Sequence, residues 1–358
     1  MPHALQNLYD VIEPVDLSLR AQAHAHLDSL AKPQGSLGRL EDLAVRLFCI
    51  QGGAVPLRVD PAIMFTVAGD HGVAAEGVSL YPQSVTRLMV RNFLDGGAAI
   101  NILCQVASAE LFVVDAGCVG GPFEAHPQLI NMRLGNGTAN IAAGPAMSRE
   151  DCARAVLAGA GIAAKASGMG YRCIGIGEMG IANSTVAAAL CCAYFELPPE
   201  EMVGPGAGTP PAGLEHKIQM VRRSLESNKS AVASRDPLAI LAALGGFEIA
   251  VMAGIILGAS RRRLPVVVDG FIATSALAAA DHMCPVAAGY CMLSHASAEP
   301  GHAKIVQLLR TPPPLLDLGM RLGEGTGSAL AIVLLRAAAA IYNDMTTLEE
   351  AGISGKRS

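Results

Sequence analysis

The chain has 358 residues, 51% of them hydrophobic and 16% charged, with a net charge of -5 and a pI near 6.0. That composition builds a large core and excludes a disordered chain. No basic stripe interleaves with aromatics, so nucleic acid is not an expected partner.

The start, Met1-Pro2-His3, leads into polar residues and reads as no signal peptide. The nine cysteines are scattered, Cys191-Cys192 is their only close pair, and no CxxC occurs. This usage predicts reduced thiols in a cytoplasmic protein.

The first sixty residues read as helical. Val15 to Ala31 has mixed apolar spacing, Lys32-Pro33-Gln34-Gly35-Ser36-Leu37-Gly38 is a turn, and Ser36 is placed to cap a helix from Arg39 to Gln51. The pattern then changes. Four apolar runs each close on glycine plus an acid: Ala62 to Val67 before Gly69-Asp70-His71-Gly72, Leu111 to Val114 before Asp115-Ala116-Gly117, Cys173 to Ile176 before Gly177-Glu178-Met179-Gly180, and Leu264 to Val268 before Asp269-Gly270. Buried parallel strands read this way, with helical patterns at Val85 to Leu94 and Ala153 to Ala166 between them. Ser148-Arg149-Glu150-Asp151 resembles a capping box before the second helix. In an open parallel sheet, ligands bind beyond the carboxyl ends of the strands. Asp70, His71, Asp115, Glu178 and Asp269 are therefore expected on one side of the molecule.

Pro237 to Ala259 is almost continuously apolar and long enough to span a bilayer. Gly245-Gly246 and Glu248 interrupt it, so two buried helices in the core or at a subunit interface are expected. Arg261-Arg262-Arg263 follows, where positive charge suits a helix C-terminus. Ala329 to Tyr342 reads as another apolar helix, and Gly352 to Ser358 as a frayed tail.

Several segments could carry chemistry. Gly177 to Thr185 joins a strand to an alanine-rich helix, whose free amides could bind a phosphate while Glu178 takes sugar hydroxyls. A plain turn capped by Asn183 or Ser184 fits as well. It is neither a P-loop nor a GxGxxG fingerprint. A second glycine-rich loop, Val203 to Pro210, precedes Lys217, which is either a phosphate or carboxylate partner or an exposed helix lysine. His295 and His302 lie seven apart without an acid in register, a poor zinc pattern. Asp70-His71 fits a hydrogen-bonded loop anchor better than a metal ligand pair. In Arg321-Leu322-Gly323-Glu324-Gly325-Thr326-Gly327, one carboxylate sits between glycines at the mouth of a helix. Glu324 is either a general base screened from water or a solvated acid favoured by the helix dipole.

Taken in order, Lys32 to Gly38, Gly69 to Val73, Glu76 to Ser79, Gly177 to Asn183, Asp269 to Phe271, Ser294 to Gly301 and Arg321 to Gly327 closely resemble the nicotinate-nucleotide–dimethylbenzimidazole phosphoribosyltransferase family. The resemblance runs from about residue 30 to about residue 350. It implies transfer of phosphoribosyl from nicotinate mononucleotide to 5,6-dimethylbenzimidazole or a related lower-ligand base of cobamides, giving an α-ribazole 5'-phosphate and nicotinate. By matching position to position it implies Glu324 as the general base, Glu178 and Lys217 near ribose and phosphate, and Gly180, Ile181, Asp269 and Ser297 in the nucleotide site. The wall of the base pocket would run from Glu76 through Tyr81 to Met89. Some relatives carry serine where Tyr81 stands and glutamine where Met89 stands. The bulkier, less polar wall leads us to expect that a phenol or another azole competes as acceptor. The resemblance further implies no metal, no cofactor and a homodimer with or without a homologous second subunit; the interruptions at Gly245-Gly246 and Glu248 argue against a membrane span. A catalytically silent nucleotide-binding or partner subunit is the alternative.

The expected architecture is α/β: a parallel Rossmann-like sheet flanked by helices, with a smaller helical domain formed from the N- and C-terminal segments. Residues 1–60 form the N-terminal helical segment and residues 61–310 the nucleotide-binding domain. Residues 311–358 carry the catalytic glutamate and return to the small domain.

Overall fold

The computed structural model describes residues 2–206, 208, 210–309 and 311–353. The expected fraying beyond Ile353, and Ala207 and Thr209 of the second glycine-rich loop, lie outside them. Six strands form one all-parallel sheet in the order β3-β2-β1-β4-β5-β6. They are β1 (Ala62–Gly69), β2 (Glu110–Gly117), β3 (Leu129–Asn131), β4 (Cys173–Met179), β5 (Val266–Val268) and β6 (Cys291–Leu293). The four apolar runs form the four central strands. Phe65 on β1, for example, pairs with Phe112 on β2 and Ile176 on β4. The two edge strands were not expected. Each has three residues, too short for a hydrophobic run to stand out.

Parallel strands require crossovers, and the helices that make them cover both faces. The chain enters through α1 (Pro2–Tyr9), α2 (Arg20–Ser29) and α3 (Arg39–Ile50). Between β1 and β2 lie α4 (Ser84–Leu94) and α5 (Ala99–Val106), and α6 (Arg149–Gly168) precedes β4. From β4 to β5 run α7 (Asn183–Phe195), α8 (Pro199–Met202), α9 (Pro211–Ser227), α10 (Lys229–Ser234), α11 (Pro237–Leu244) and α12 (Phe247–Ser260). The last helices are α13 (Phe271–Met283), α14 (Pro300–Leu308) and α15 (Thr326–Asp344).

One layer is built on α12, which packs on the sheet between α6 and α13. Every residue of α12 is buried. A methyl at Gly159 or Gly254 would collide with the carbonyl of Val251 or Val156, so α6 and α12 touch backbone to backbone. This close crossing explains the alanine and glycine richness. Of the two places expected for this run, core or subunit interface, α12 takes the core, buried within a single chain. The apolar run does break at Gly245-Gly246, and Asp236 caps α11 through the amides of Leu238 and Ala239.

The opposite layer is α15, packed on β4 and β5 with α3 and α5 beside it. Among the described residues it is the one helix long and apolar enough to cross a membrane, and it is largely buried in this layer. The chain ends meet here. Leu30 bridges Thr347, and the Ala31 amide donates to Thr346 O at 2.8 Å. Ser148 caps α6 as expected, accepting from the Asp151 amide at 3.0 Å. Ser36 does not cap α3. Gly38 takes the cap position at φ +52, and Glu41 reaches back to the Leu37 amide at 2.9 Å.

Candidate active site

The strand order reverses between β1 and β4, and a crevice opens at their carboxyl ends, where open α/β sheets bind ligands. A cavity of about 380 Å³ lies there, a size suited to a small-molecule ligand. Its walls come from the start of α4, the β4–α7 loop, Gly206, Lys217 of α9, Glu299 and the segment from Arg321 to Glu324.

Glu324 is held in this wall from several directions. Its amide donates to Glu178 O at 3.0 Å, and its carbonyl accepts from Thr66 Oγ1 at 2.6 Å. The next turn is fixed by Asp269, which accepts from the amides of Gly325, Gly327 and Ser328 at 3.0, 2.8 and 3.3 Å. Thus anchored, Glu324 adopts φ +64, a left-handed conformation uncommon outside glycine. The flanking strand must also be bare, because a methyl at Gly177 would strike the Gly325 backbone. The carboxylate is buried at 5% exposure, so the solvated-acid reading does not hold. Burial raises its pKa above the usual carboxylate range and the charge of Asp269 adds to this, while the Ile100 amide, 3.2 Å from Oε2, opposes it. A carboxylate so placed can take a proton near neutral pH.

Glu178 lies beside it, its Oε1 close to where a methyl would stand at position 323, and glycine there also suits the backbone at φ +83. Its carboxyl accepts from Asn183 Nδ2. Burial, followed by the charges of Asp269 and Glu248, pushes its pKa well up. It therefore favours the protonated form, which can donate to a ligand oxygen. Neither Asn183 nor Ser184 caps α7; the cap position is Ala182, without a side-chain bond.

Lys217 is 1% exposed, which removes the exposed-lysine reading. Its Nζ donates to Gly204 O at 2.8 Å and Ser184 Oγ at 3.1 Å, leaving one N–H for a ligand. Burial brings its pKa down to about 8, against the pull of Glu299. Arg321 donates to Gly206 O at 2.7 Å.

This geometry has close relatives among known proteins. A family model described as phosphoribosyltransferase matches residues 12–353. The nicotinate-nucleotide–dimethylbenzimidazole phosphoribosyltransferase of Nitratidesulfovibrio vulgaris strain DP4 is 58% identical over 354 residues, 99% of each chain. The enzyme of the same name from Chlorobaculum tepidum is 47% identical over 356 residues, again 99% of each. The crystal structure of CobT from Thermus thermophilus superposes with a TM-score of 0.88 at 44% identity, covering 95% of this chain and 100% of that one.

The chain belongs to the nicotinate-nucleotide–dimethylbenzimidazole phosphoribosyltransferase family.

Of the residues expected in the site of such an enzyme, Glu324, Glu178, Gly180, Ile181, Lys217, Tyr81 and Met89 line the same cavity. Asp269 and Ser297 do not. Asp269 spends its oxygens on the start of α15, and Ser297 Oγ accepts from the Glu299 amide at 3.3 Å. Asp269 is buried behind the wall, and Ser297 is partly exposed outside the cavity lining. The Ile181 amide is already engaged by Thr86 Oγ1 at 3.1 Å. Asp70, His71 and Asp115 brace loops: Asp70 accepts from the Val119 amide at 2.8 Å, Asp115 from those of Gly117 and Cys118, and His71 pairs with Glu248 at 2.8 Å. His302 holds the Ser297 amide and Thr274, and His295 faces Asp269 at 3.6 Å. Glu299 and Arg321 carry no assigned role in the sequence, and Asn183 and Ser184 figure there only as candidate caps. The usable signal for Glu299 was Pro300, which marks a helix start beyond the end of β6.

Proposed function

We infer that this chain transfers the phosphoribosyl group of nicotinate mononucleotide to 5,6-dimethylbenzimidazole or a related base. Family membership supports the reaction class. The observation that carries the reading for these residues is one cavity walled by a buried, pKa-raised Glu324 and a buried Lys217.

In this reading Lys217, the start of α7 and Arg321 hold the 5'-phosphate, and Glu178 donates to a ribose oxygen. The acceptor lies against Tyr81, Val85 and Met89. One ring nitrogen of the acceptor attacks C1' as the bond from C1' to the pyridinium nitrogen breaks. Nicotinate leaves with the electron pair, which neutralises its ring cation. The acceptor's N–H proton passes to Glu324. Attack opposite the leaving group inverts C1' and gives the α-linkage. Holding both reactants in line supplies the orientational part of the rate. Proton transfer to the carboxylate is worth ~10²–10⁴-fold.

Incubating the isolated chain with nicotinate mononucleotide and dimethylbenzimidazole tests this. Appearance of ribazole phosphate and nicotinate is expected; binding without turnover would favour the silent-subunit alternative. We further propose a cytoplasmic homodimer, the first part supported by nine free, buried cysteines. Light scattering of the purified chain tests the second part.

A further inference from the structure

Resting on the phosphoribosyl reading, we propose that Glu299 brings a proton to the phosphate subsite. When a phosphate monoester dianion binds, one proton is taken up from solvent and shared between the Glu299 carboxyl and a phosphate oxygen.

The geometry is that of a built position. Glu299 lines the cavity beside Lys217, Ser184, Gly206 and Arg321, yet is only 4% exposed. Neither of its side-chain oxygens has a well-formed hydrogen bond. A methyl at Gly204 would collide with Oε2, so the neighbouring loop is bare to admit this carboxyl. Ser297 Oγ fixes its amide, and α14 begins at the next residue.

A carboxylate in the wall of a phosphate site is unfavourable if both groups stay charged, because two like charges in a dry pocket repel strongly. Protonation turns the repulsion into an O–H donor. Burial already raises the pKa of Glu299, with Lys217, the nearby Gly206 amide and Arg321 opposing. An incoming dianion would raise it further. The surrounding groups leave this role to Glu299. Lys217 comes from α9 and Arg321 from the segment before α15. Lys304 of α14 is paired with Glu201 of α8 at 2.9 Å on the outer side. His302 of α14 is neutral, its pKa brought down to about 4 by burial and then by His295. Asn183 and Ser184 of α7 are uncharged. Below its pKa of about 8, Lys217 keeps its proton with or without ligand, so it takes up little there.

The test is calorimetric titration of the full chain near neutral pH in two buffers of different ionisation enthalpy, which counts protons exchanged on binding. With nicotinate mononucleotide, and equally with ribose 5-phosphate, uptake of about one proton per ligand is expected by linkage. Glu299→Gln, near-isosteric and uncharged, should bind the ligand with that uptake abolished. Glu324→Gln should retain it. Well below the pKa of Lys217, affinity should weaken with rising pH in the wild type and stay flat in Glu299→Gln; nearer that pKa both should weaken as Lys217 loses its proton. Binding without uptake in the wild type, unchanged uptake in Glu299→Gln, or uptake triggered by nicotinate alone would each overturn the proposal while leaving the phosphoribosyl reading intact. No binding of either phosphate ester would remove both.

Discussion

The amide of Glu324 donates to the carbonyl of Glu178 at 3.0 Å, so two buried carboxyl groups are clamped to each other through their backbones. Their electrostatic environments differ. Glu178, with Asp269, Glu248 and Glu324 nearby, has its pKa pushed well up, chiefly by burial, which favours the protonated form that can donate. Glu324 has the Ile100 amide to favour its charged form and remains able to accept a proton. Neighbouring carboxyls with separated pKa values are a common way to place an acid beside a base.

A pH profile follows from this difference. A base must be unprotonated, and the pKa of Glu324 is raised, so turnover should fall as pH drops through that raised value, above the usual carboxylate range. Linkage runs the other way for stability. A carboxyl whose folded pKa is raised binds its proton more tightly in the folded state, so its stabilising effect is present below the unfolded value and is lost as pH rises through the folded one. Glu178→Gln should therefore melt higher than the wild type at neutral pH. Rate profiles and thermal melts across pH check both signs.

Lys217→Met keeps the length of the stem and removes the charge. Hydrogen bonds to charged groups contribute about 1.5–3 kcal/mol, so KM for nicotinate mononucleotide should rise by ~10–150-fold. The change in kcat should be smaller. In the wild type, KM should climb above about pH 8, where Lys217 loses its proton. Steady-state kinetics over pH, with the nucleotide as the varied substrate, separates these effects.

Gly177→Ala places a methyl against the backbone of Gly325. Overpacking of this kind costs about 1–3 kcal/mol. The Glu324 turn must shift to relieve it, and a misplacement of about 1 Å can cost ~10²-fold in rate. We expect a lowered melting temperature together with a loss of kcat that exceeds any change in nucleotide affinity. Retained turnover would show that the turn tolerates displacement.

Tyr81 and Met89 line the cavity, with Tyr81 about half exposed, and in the proposed reading they face the acceptor base. A competition assay with dimethylbenzimidazole, other azoles and a phenol should give substantial product from bases other than dimethylbenzimidazole. Replacement by serine at 81 and glutamine at 89 should move the preference toward polar azoles. A strong preference of the wild type for dimethylbenzimidazole would remove this expectation.

The central strands were legible because each is a buried apolar run ending in glycine and an acid. β3 and β6 were not, since three-residue edge strands carry no periodicity. The site was legible as a set of chain segments, because sheet topology brings strand ends together whatever their separation. The division of labour within it was not. The local pattern singles out Glu324 between its glycines and Glu178 at a strand end, but it does not fix the protonation of Glu178, Glu299 or Glu324, which depends on burial and on neighbours far away in sequence. Likewise, Asp269 is a strand-end acid in sequence, and only the fold reveals that its oxygens anchor the start of α15. Lys217 read locally as either an anion partner or an exposed helix lysine, and tertiary packing of α9 against α7 decides this by burying it.

The most direct test is turnover by Glu324→Gln with nicotinate mononucleotide and dimethylbenzimidazole, read by mass spectrometry of the ribazole phosphate formed. A loss of ~10²–10⁴-fold in kcat is expected, with melting temperature and nucleotide affinity near those of the wild type. Near-normal turnover in that variant would contradict the role of Glu324 as general base.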